Sequence, residues 1–216
     1  MVEHVYRRAC EARSLSRVIV ATDDLRVFET VRAFGGDVLM TSPHHRTGSE
    51  RVAEVAAGLS EALVVNVQGD EPLMSPAMID QAVEACAAHP DVVMSTVRRR
   101  ITDRGDVDNP AVVKVVCDMA GRALYFTRAA VPFVRDDEGQ AVWFKHIGLY
   151  VYRREFLLHV TGLEPTPLER AESLEQLRAL EHGYTIVTVE TTDDALGVDT
   201  PDDLARIRRM TAATFD

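Results

Sequence analysis

Val64-Val65-Asn66-Val67-Gln68-Gly69-Asp70-Glu71-Pro72 changes character within a single step. Leu63 to Asn66 reads as the end of a buried strand, apolar, β-branched and bounded by a polar break. Gly69 permits a tight turn that a residue with a Cβ would resist. Asp70 and Glu71 set two carboxylates where a parallel strand would end, and Pro72 stops the strand. In open α/β sheets ligands bind outside the carboxyl ends of strands. An acidic side chain there suits a hard, oxygen-preferring cation such as Mg²⁺. The competing reading is an ordinary acidic turn after a core strand, since Gly-Asp turns are common.

On either side of this stretch, helices and strands alternate. Met1 to Ser14 carries Val5, Ala9 and Ala12 at helical spacing, so the chain opens on a helix with no strand before it. Val18–Ala21 reads as a buried strand ending in Thr22-Asp23-Asp24, Val27–Phe34 as a helix closed by Gly35-Gly36, and Asp37–Met40 as a short strand. Thr41–Ser49 is a polar loop, and Thr47 with Glu50 forms a capping box for a helix over Glu50–Leu59. The free amides at that helix start could face an anion or a base edge. His44-His45 reads as surface loop, because no other ligand has diagnostic spacing. Pro76–Ala88 is a helix and Val92–Val97 a strand, with Arg98-Arg99-Arg100 as its solvated end. This alternation predicts right-handed crossovers and a parallel sheet.

The second half is richer in strands. Val112–Val116, Ala123–Thr127 and Val142–Tyr152 are spaced like a meander. His146 and Tyr150 lie four apart and share a face on a strand, beside Lys145 and Tyr152; a polar, solvent-facing side of a sheet gives the same pattern. Glu155–Thr161 and Leu168–Glu181 read as helices, the second with a partial stripe of Leu168, Leu174 and Leu177. Glu175 sits beside that stripe and Gln176 further round, on what reads as a solvated face. Thr185–Val189 is a strand. Thr200-Pro201-Asp202-Asp203 opens the last helix, so Asp199 is a second carboxylate just before a helix N-terminus.

Composition bounds the function classes. The 216 residues suffice for one domain with a full core, at 46% hydrophobic and 27% charged content. A net charge of −10 argues against non-specific nucleic-acid binding, which needs a basic face. It is compatible with a nucleotide held by Mg²⁺ and a few arginines. Cys10, Cys86 and Cys117 show neither zinc spacing nor a disulfide framework, which points to a reducing, cytoplasmic compartment. No apolar run is long enough to span a bilayer, and no signal-peptide pattern opens the chain.

Val64–Pro72, Asn109-Pro110 with Val113–Val116, Ala123–Ala129, His146–Tyr150, Leu174–Arg178 and Gly197–Pro201 occur in one order. Together they closely resemble the 3-deoxy-manno-octulosonate cytidylyltransferases, or CMP-KDO synthetases, over essentially the whole chain. The resemblance implies a nucleotide-diphospho-sugar-transferase-like α/β fold. Its layers are α/β/α, with a mostly parallel sheet and a β-rich sugar-binding and dimerisation lobe. It implies one domain over 1–216, with a nucleotide-binding half (1–100) and a sugar-acid-binding and dimerisation half (101–216). The implied reaction couples CTP to the sugar acid KDO, giving CMP-KDO and pyrophosphate for lipopolysaccharide synthesis, in a homodimer with Mg²⁺. By the matching positions, Asp70 and Asp199 are the implied Mg²⁺ carboxylates. Gln68, Arg128, Arg135, His146, Tyr150, Glu175 and Gln176 are the implied sugar-acid contacts. The strand end Ala21, Thr22 and Asp23 and the loop with Arg46, Thr47 and Gly48 are the implied cytidine wall.

The chain departs from the family pattern at Arg46, where Gln is common, and at Phe133-Val134, where Trp-Asp is common. The family begins with a strand and a loop bearing Arg, Ser, Arg, Gly and Lys that grips the triphosphate, whereas Met1–Val5 aligns with the helix after it. The expectation is therefore a sheet one strand short near the site, and a 216-residue chain that binds KDO more readily than it turns over CTP. A truncated, non-catalytic paralogue and a cytidylyltransferase for another sugar acid or a phosphonate are the alternative readings.

Overall fold

The computed structural model describes residues 1–136, 141–198 and 200–212. The first half runs α1 (Val2–Cys10), β1 (Val20–Thr22), α2 (Leu25–Ala33), β2 (Val38–Met40), α3 (Gly48–Ala57), β3 (Leu63–Asn66), α4 (Pro76–Ala88) and β4 (Met94–Arg100). The second half runs α5 (Arg104–Asp108), β5 (Lys114–Cys117), β6 (Ala123–Thr127), β7 (Phe144–Arg153), α6 (Arg154–Val160), α7 (Pro167–Glu172), α8 (Gln176–Glu181), β8 (Ile186–Thr191) and α9 (Pro201–Ala212).

Helix starts follow their caps. Asp24 accepts from the Arg26 amide, Thr47 from the Glu50 amide, and Pro76 occupies the first turn of α4. Thr200 and Asp203 bond reciprocally at α9. The expected helix over Leu168–Glu181 is instead two. Ser173 adopts φ 55°, in the left-handed region, and its amide closes α7 on the Glu169 carbonyl. That break turns the second segment inward, so Gln176 and Arg178 are buried where a single helix would have solvated them.

The sheet is mixed rather than parallel throughout its first half. β1 and β2 pair in parallel, as do β4 and β8. Strand β7 lies antiparallel between β3 and β4 and also pairs β5, which pairs β6. Thus β3, β4 and β8 do share a direction, but β3 and β4 meet through β7 rather than each other. Period-two alternation along β7 feeds two cores. Ile147, Leu149 and Val151 pack with Met78, Ile79 and Cys86 of α4 on one face. Tyr152 packs with Phe126, Phe156, Leu157 and Leu177 on the other. Helices therefore cover both faces, in three layers.

Two irregularities shape the site. Along the β4–β7 ladder Val97 pairs Ile147 while Thr96 pairs Tyr150, so one step on β4 spans three on β7. The two extra residues form a bulge at Gly148-Leu149. An even insertion keeps the face, and the His146 and Tyr150 rings lie 5.3 Å apart. The second irregularity is a cavity of about 520 Å³ between Val18–Ala21 and Leu63–Gly69, flanked by α1 and α3. β1 pairs only β2 and β3 only β7 among the described residues. Their other edges border the cavity, and the ladder of β1 is correspondingly shorter than the expected Val18–Ala21.

Candidate active site

The turn after β3 is tight: the Glu71 amide donates to the Gln68 carbonyl at 3.3 Å and the Met74 amide to the Glu71 carbonyl at 3.1 Å. Asp70 is exposed at its apex. The Val198 amide donates to the Asp70 carbonyl at 2.9 Å, which brings the chain preceding α9 against this turn. Asp199 itself lies outside the described residues. Gln68 sits between two glycines. A Cβ on Gly48 would lie 3.9 Å from its Oε1, and one on Gly148 3.8 Å from its Cγ. The starts of α3 and of the β7 bulge thus converge on the end of β3.

Around this point lies a layer of half-buried polar side chains. The Tyr150 hydroxyl donates to Gln176 Oε1 at 3.1 Å. Gln176 is 5% exposed, and its Nε2 is buried without a hydrogen-bond partner among the described residues. A buried amide donor left free costs about 1–3 kcal/mol unless something meets it. Glu175 lines one small pocket with Ser49 and Thr47, and burial raises its pKa while the Ser49 and Thr47 side chains oppose the rise. Ser49 Oγ also lies 3.4 Å from the Tyr152 hydroxyl. Burial pushes both tyrosines well above their ordinary value and lowers His146 to about 3, so the imidazole is neutral at physiological pH. The His146 ring packs edge-on to Phe126, 4.9 Å away. Behind the layer, Arg178 donates to both Glu169 oxygens and to the Val160 and Leu163 carbonyls, which fixes α8 and with it Gln176.

The loop opposite is pre-ordered by its own side chains. Arg51 of α3 pairs with Asp23 at 3.0 Å and donates to Thr41 Oγ1 at 2.6 Å. Glu54 accepts from the Ser42 amide at 2.9 Å and pairs with His45. Thr22 Oγ1 accepts from the Asp24 amide, and Ala21 lines the cavity. Arg46 is exposed and tied to Glu50, whose side chain accepts from the Arg46 amide rather than completing the box at Thr47.

The two arginines behave differently. Arg128 is held in place: its Nε donates to the Glu172 carbonyl at 2.8 Å and its Nη1 to the Pro110 carbonyl at 3.0 Å, while the Glu172 side chain accepts from its amide. Arg135 is 88% exposed, 3.8 Å from Asp136, and no described contact joins it to the His146 layer. Sequence reading passed over Thr96 and Arg51, gave Lys114 no role beyond its place in the Val113–Val116 motif, and took Ser49 only as the end of the Thr41–Ser49 loop. Each is an ordinary residue for its element, and only the tertiary register gives it a partner. Among the described residues no cluster of three or more His, Cys, Asp or Glu side chains is assembled for a metal. Arg98 and Arg99 do not end in open solvent: they bond Thr188 and Asp194, which Lys145 also pairs.

A mixed sheet covered by helices on both faces, with polar groups gathered at the end of β3, is the architecture of nucleotide-activating transferases. The chain belongs to the cytidylyltransferase family, whose sequence pattern matches residues 1–186. It is 51% identical to the 3-deoxy-manno-octulosonate cytidylyltransferase of Solibacter usitatus, over 100% of this chain and 85% of the relative. The enzyme of that name from Geobacter sulfurreducens is 52% identical, over 96% of this chain and 87% of the relative. A solved CMP:2-keto-3-deoxy-manno-octonic acid synthetase, complexed with CTP, superposes with a TM-score of 0.94 at 36% identity, covering 99% of this chain and 88% of its own. The 4-diphosphocytidyl-2C-methyl-D-erythritol synthase of Anaerococcus prevotii, at 10% identity and a TM-score of 0.65 over 98% of this chain and 88% of its own, shares the fold.

Proposed function

We propose that this protein transfers CMP from CTP to the anomeric hydroxyl of KDO, releasing pyrophosphate, as a step in making lipopolysaccharide. The observation that carries the reading is the convergence of Gln68, His146, Tyr150, Glu175 and Gln176 beside the start of α3, with Asp70 at the end of β3. The free Nε2 of Gln176 is a donor awaiting a polyhydroxylated ligand. Neutral His146 and Tyr150 offer hydrogen bonds, and a site built to meet hydroxyls rejects analogues that lack them. Arg128, pinned by two carbonyls, supplies fixed positive charge for the sugar carboxylate, and Arg135 joins it from its exposed segment. Ala21, Thr22, Asp23, Arg46, Thr47 and Gly48 wall the cytidine.

Such transfer is mainly in-line positioning plus charge neutralisation. The exposed carboxylate of Asp70 fits the chemistry of Mg²⁺, which takes one or two carboxylates together with substrate phosphates. Asp70 and Asp199 would hold it, and when bound it supplies charge neutralisation at the phosphates. The free state of Cys10, Cys86 and Cys117 supports a cytoplasmic enzyme, and no described helix is long and apolar enough to cross a membrane. Exposed Met119, Leu124 and Phe133 in the β-rich half support a homodimer formed through it, with residues 1–216 as one domain. The test is pyrophosphate release from CTP and KDO. Turnover with another sugar acid alone would move the acceptor, and binding of KDO without turnover would favour a non-catalytic paralogue.

A further inference from the structure

We propose that Thr96 fixes the tautomer of His146, holding the proton on Nε2 and presenting Nδ1 as a bare acceptor for a hydroxyl of the acceptor substrate. The tautomer rests on geometry alone; its use rests on the reading of His146 as a sugar-acid contact.

The assignment is a proton count. Thr96 Oγ1 lies 2.7 Å from the Leu149 carbonyl, 3.2 Å from the Ile147 carbonyl and 2.9 Å from His146 Nε2. A hydroxyl has one proton to give, and carbonyl oxygens only accept. If that proton went to Nε2, the Leu149 oxygen would face a bare oxygen at 2.7 Å with no hydrogen between them. The hydroxyl therefore donates to Leu149, and Nε2 brings its own hydrogen to the Thr96 oxygen. A neutral imidazole carries one N–H, so Nδ1 is left with its lone pair. Packing between the Phe126 and Tyr150 rings keeps the imidazole neutral, because an imidazolium would be desolvated there.

The bulge explains why the threonine is needed. The extra residues Gly148-Leu149 put the Ile147 and Leu149 carbonyls within reach of the Thr96 hydroxyl, which is fully buried beneath them. One hydroxyl thus satisfies the irregular backbone and reports its orientation to the ring. Thr96 is a positioning residue. It acts through His146, and the bulge that aims His146 and Tyr150 at the site also sets which nitrogen is free.

The experiment has two arms. Long-range ¹H–¹⁵N correlation on histidine-labelled wild-type protein at neutral pH, with His146→Asn to assign the signal, reads the tautomer directly. Expected is a protonated-type Nε2 and a bare Nδ1; a protonated Nδ1 overturns the proposal, whatever the substrate. The kinetic arm compares Thr96→Ser and Thr96→Val, with thermal melts to confirm folding. Expected is wild-type behaviour for Thr96→Ser. For Thr96→Val the KM for KDO should rise about tenfold, the weight of one substrate hydrogen bond, with the KM for CTP unchanged. An unchanged KM for KDO in a folded Thr96→Val overturns the positioning role. Absence of any response to KDO in the wild type refutes the substrate reading instead, and leaves the spectroscopic arm standing.

Discussion

Lys114 has no exposed surface, and its ammonium donates to the carbonyls of Asn109 at 2.9 Å, Val112 at 2.6 Å and Arg128 at 2.7 Å. All three of its protons are spent on backbone, and burial draws its pKa down, with Arg128 adding to the effect. Lys114→Met keeps the stem and removes the donors. Each charge-assisted bond is worth about 1.5–3 kcal/mol. Against this, the variant no longer buries a charge, which returns several kcal/mol. With the Asn109 end near solvent, a net loss of about 3 kcal/mol is expected, a large share of the roughly 5–15 kcal/mol that keeps an ordinary domain folded. The same change frees the Arg128 backbone from the Asn109–Val112 turn, so the KM for the sugar acid should rise more than that for CTP. Urea unfolding followed by the single tryptophan is the assay, since Trp143 bonds Pro132 and stacks under Arg104 in the same half of the chain. A midpoint shift worth less than about 1 kcal/mol would refute the reasoning, since it would mean that water satisfies those carbonyls as well as the ammonium does.

Asp70→Asn and Asp199→Asn should each remove most activity while leaving the unfolding midpoint unchanged; near-parental kcat at saturating Mg²⁺ in either would withdraw that residue as a ligand. Arg178→Met should cost about 3–5 kcal/mol, because it strands the buried Glu169 carboxylate, and should broaden NMR signals from α8; a stability within error of wild type would show that water reaches Glu169. His146 takes a proton near 6.5 when unfolded but only at about 3 when folded. Below about pH 6.5 the unfolded chain therefore binds more protons, and stability falls as pH drops toward about 3. Comparing urea midpoints of wild type and His146→Asn from pH 7 to 4 isolates the effect, and parallel curves would mean that the folded imidazole titrates normally.

Much of this molecule was legible in the order of its residues, because caps and strand ends are local events. Pro76–Ala88 and Ala123–Thr127 form elements with the expected bounds, and Thr200-Pro201-Asp202-Asp203 caps as its chemistry dictates. Strand pairing was not legible, since nothing within Leu63–Asn66 or Val92–Val97 encodes that β7 will come between them. The break at Ser173 also escaped, because Ser carries no strong left-handed signal. That break decides the site: without it, Gln176 would face solvent. Period-two spacing put His146 and Tyr150 on one face, which survives a bulge of two residues but would have failed for one, while their role as sugar-acid contacts came only from the family resemblance. Thr96 carries no local mark at all, and its meaning comes from two carbonyls on another strand.

Across the cavity between β1 and β3, the strand ladders of the described residues fall into two sets that do not pair with each other. By alternation, Val20 and Thr22 bond toward β2, while Ala21 turns its amide and carbonyl to the cavity. On β3, Val64 and Asn66 bond toward β7, and Val65 turns the other way. Among the described residues no ladder crosses, so the β1–β2 layer joins the rest through packing of α1 on α4 and of α3 on its neighbours, and through side-chain bonds such as Arg51 to Asp23 and Glu54 to the Ser42 amide. In hydrogen exchange the amides of Ala21 and Val65 should lose their protons quickly beside slow Val64 and Tyr152. Residues of α1 to β2 should then open together as one sub-global unit, well below the free energy of unfolding the β7 core.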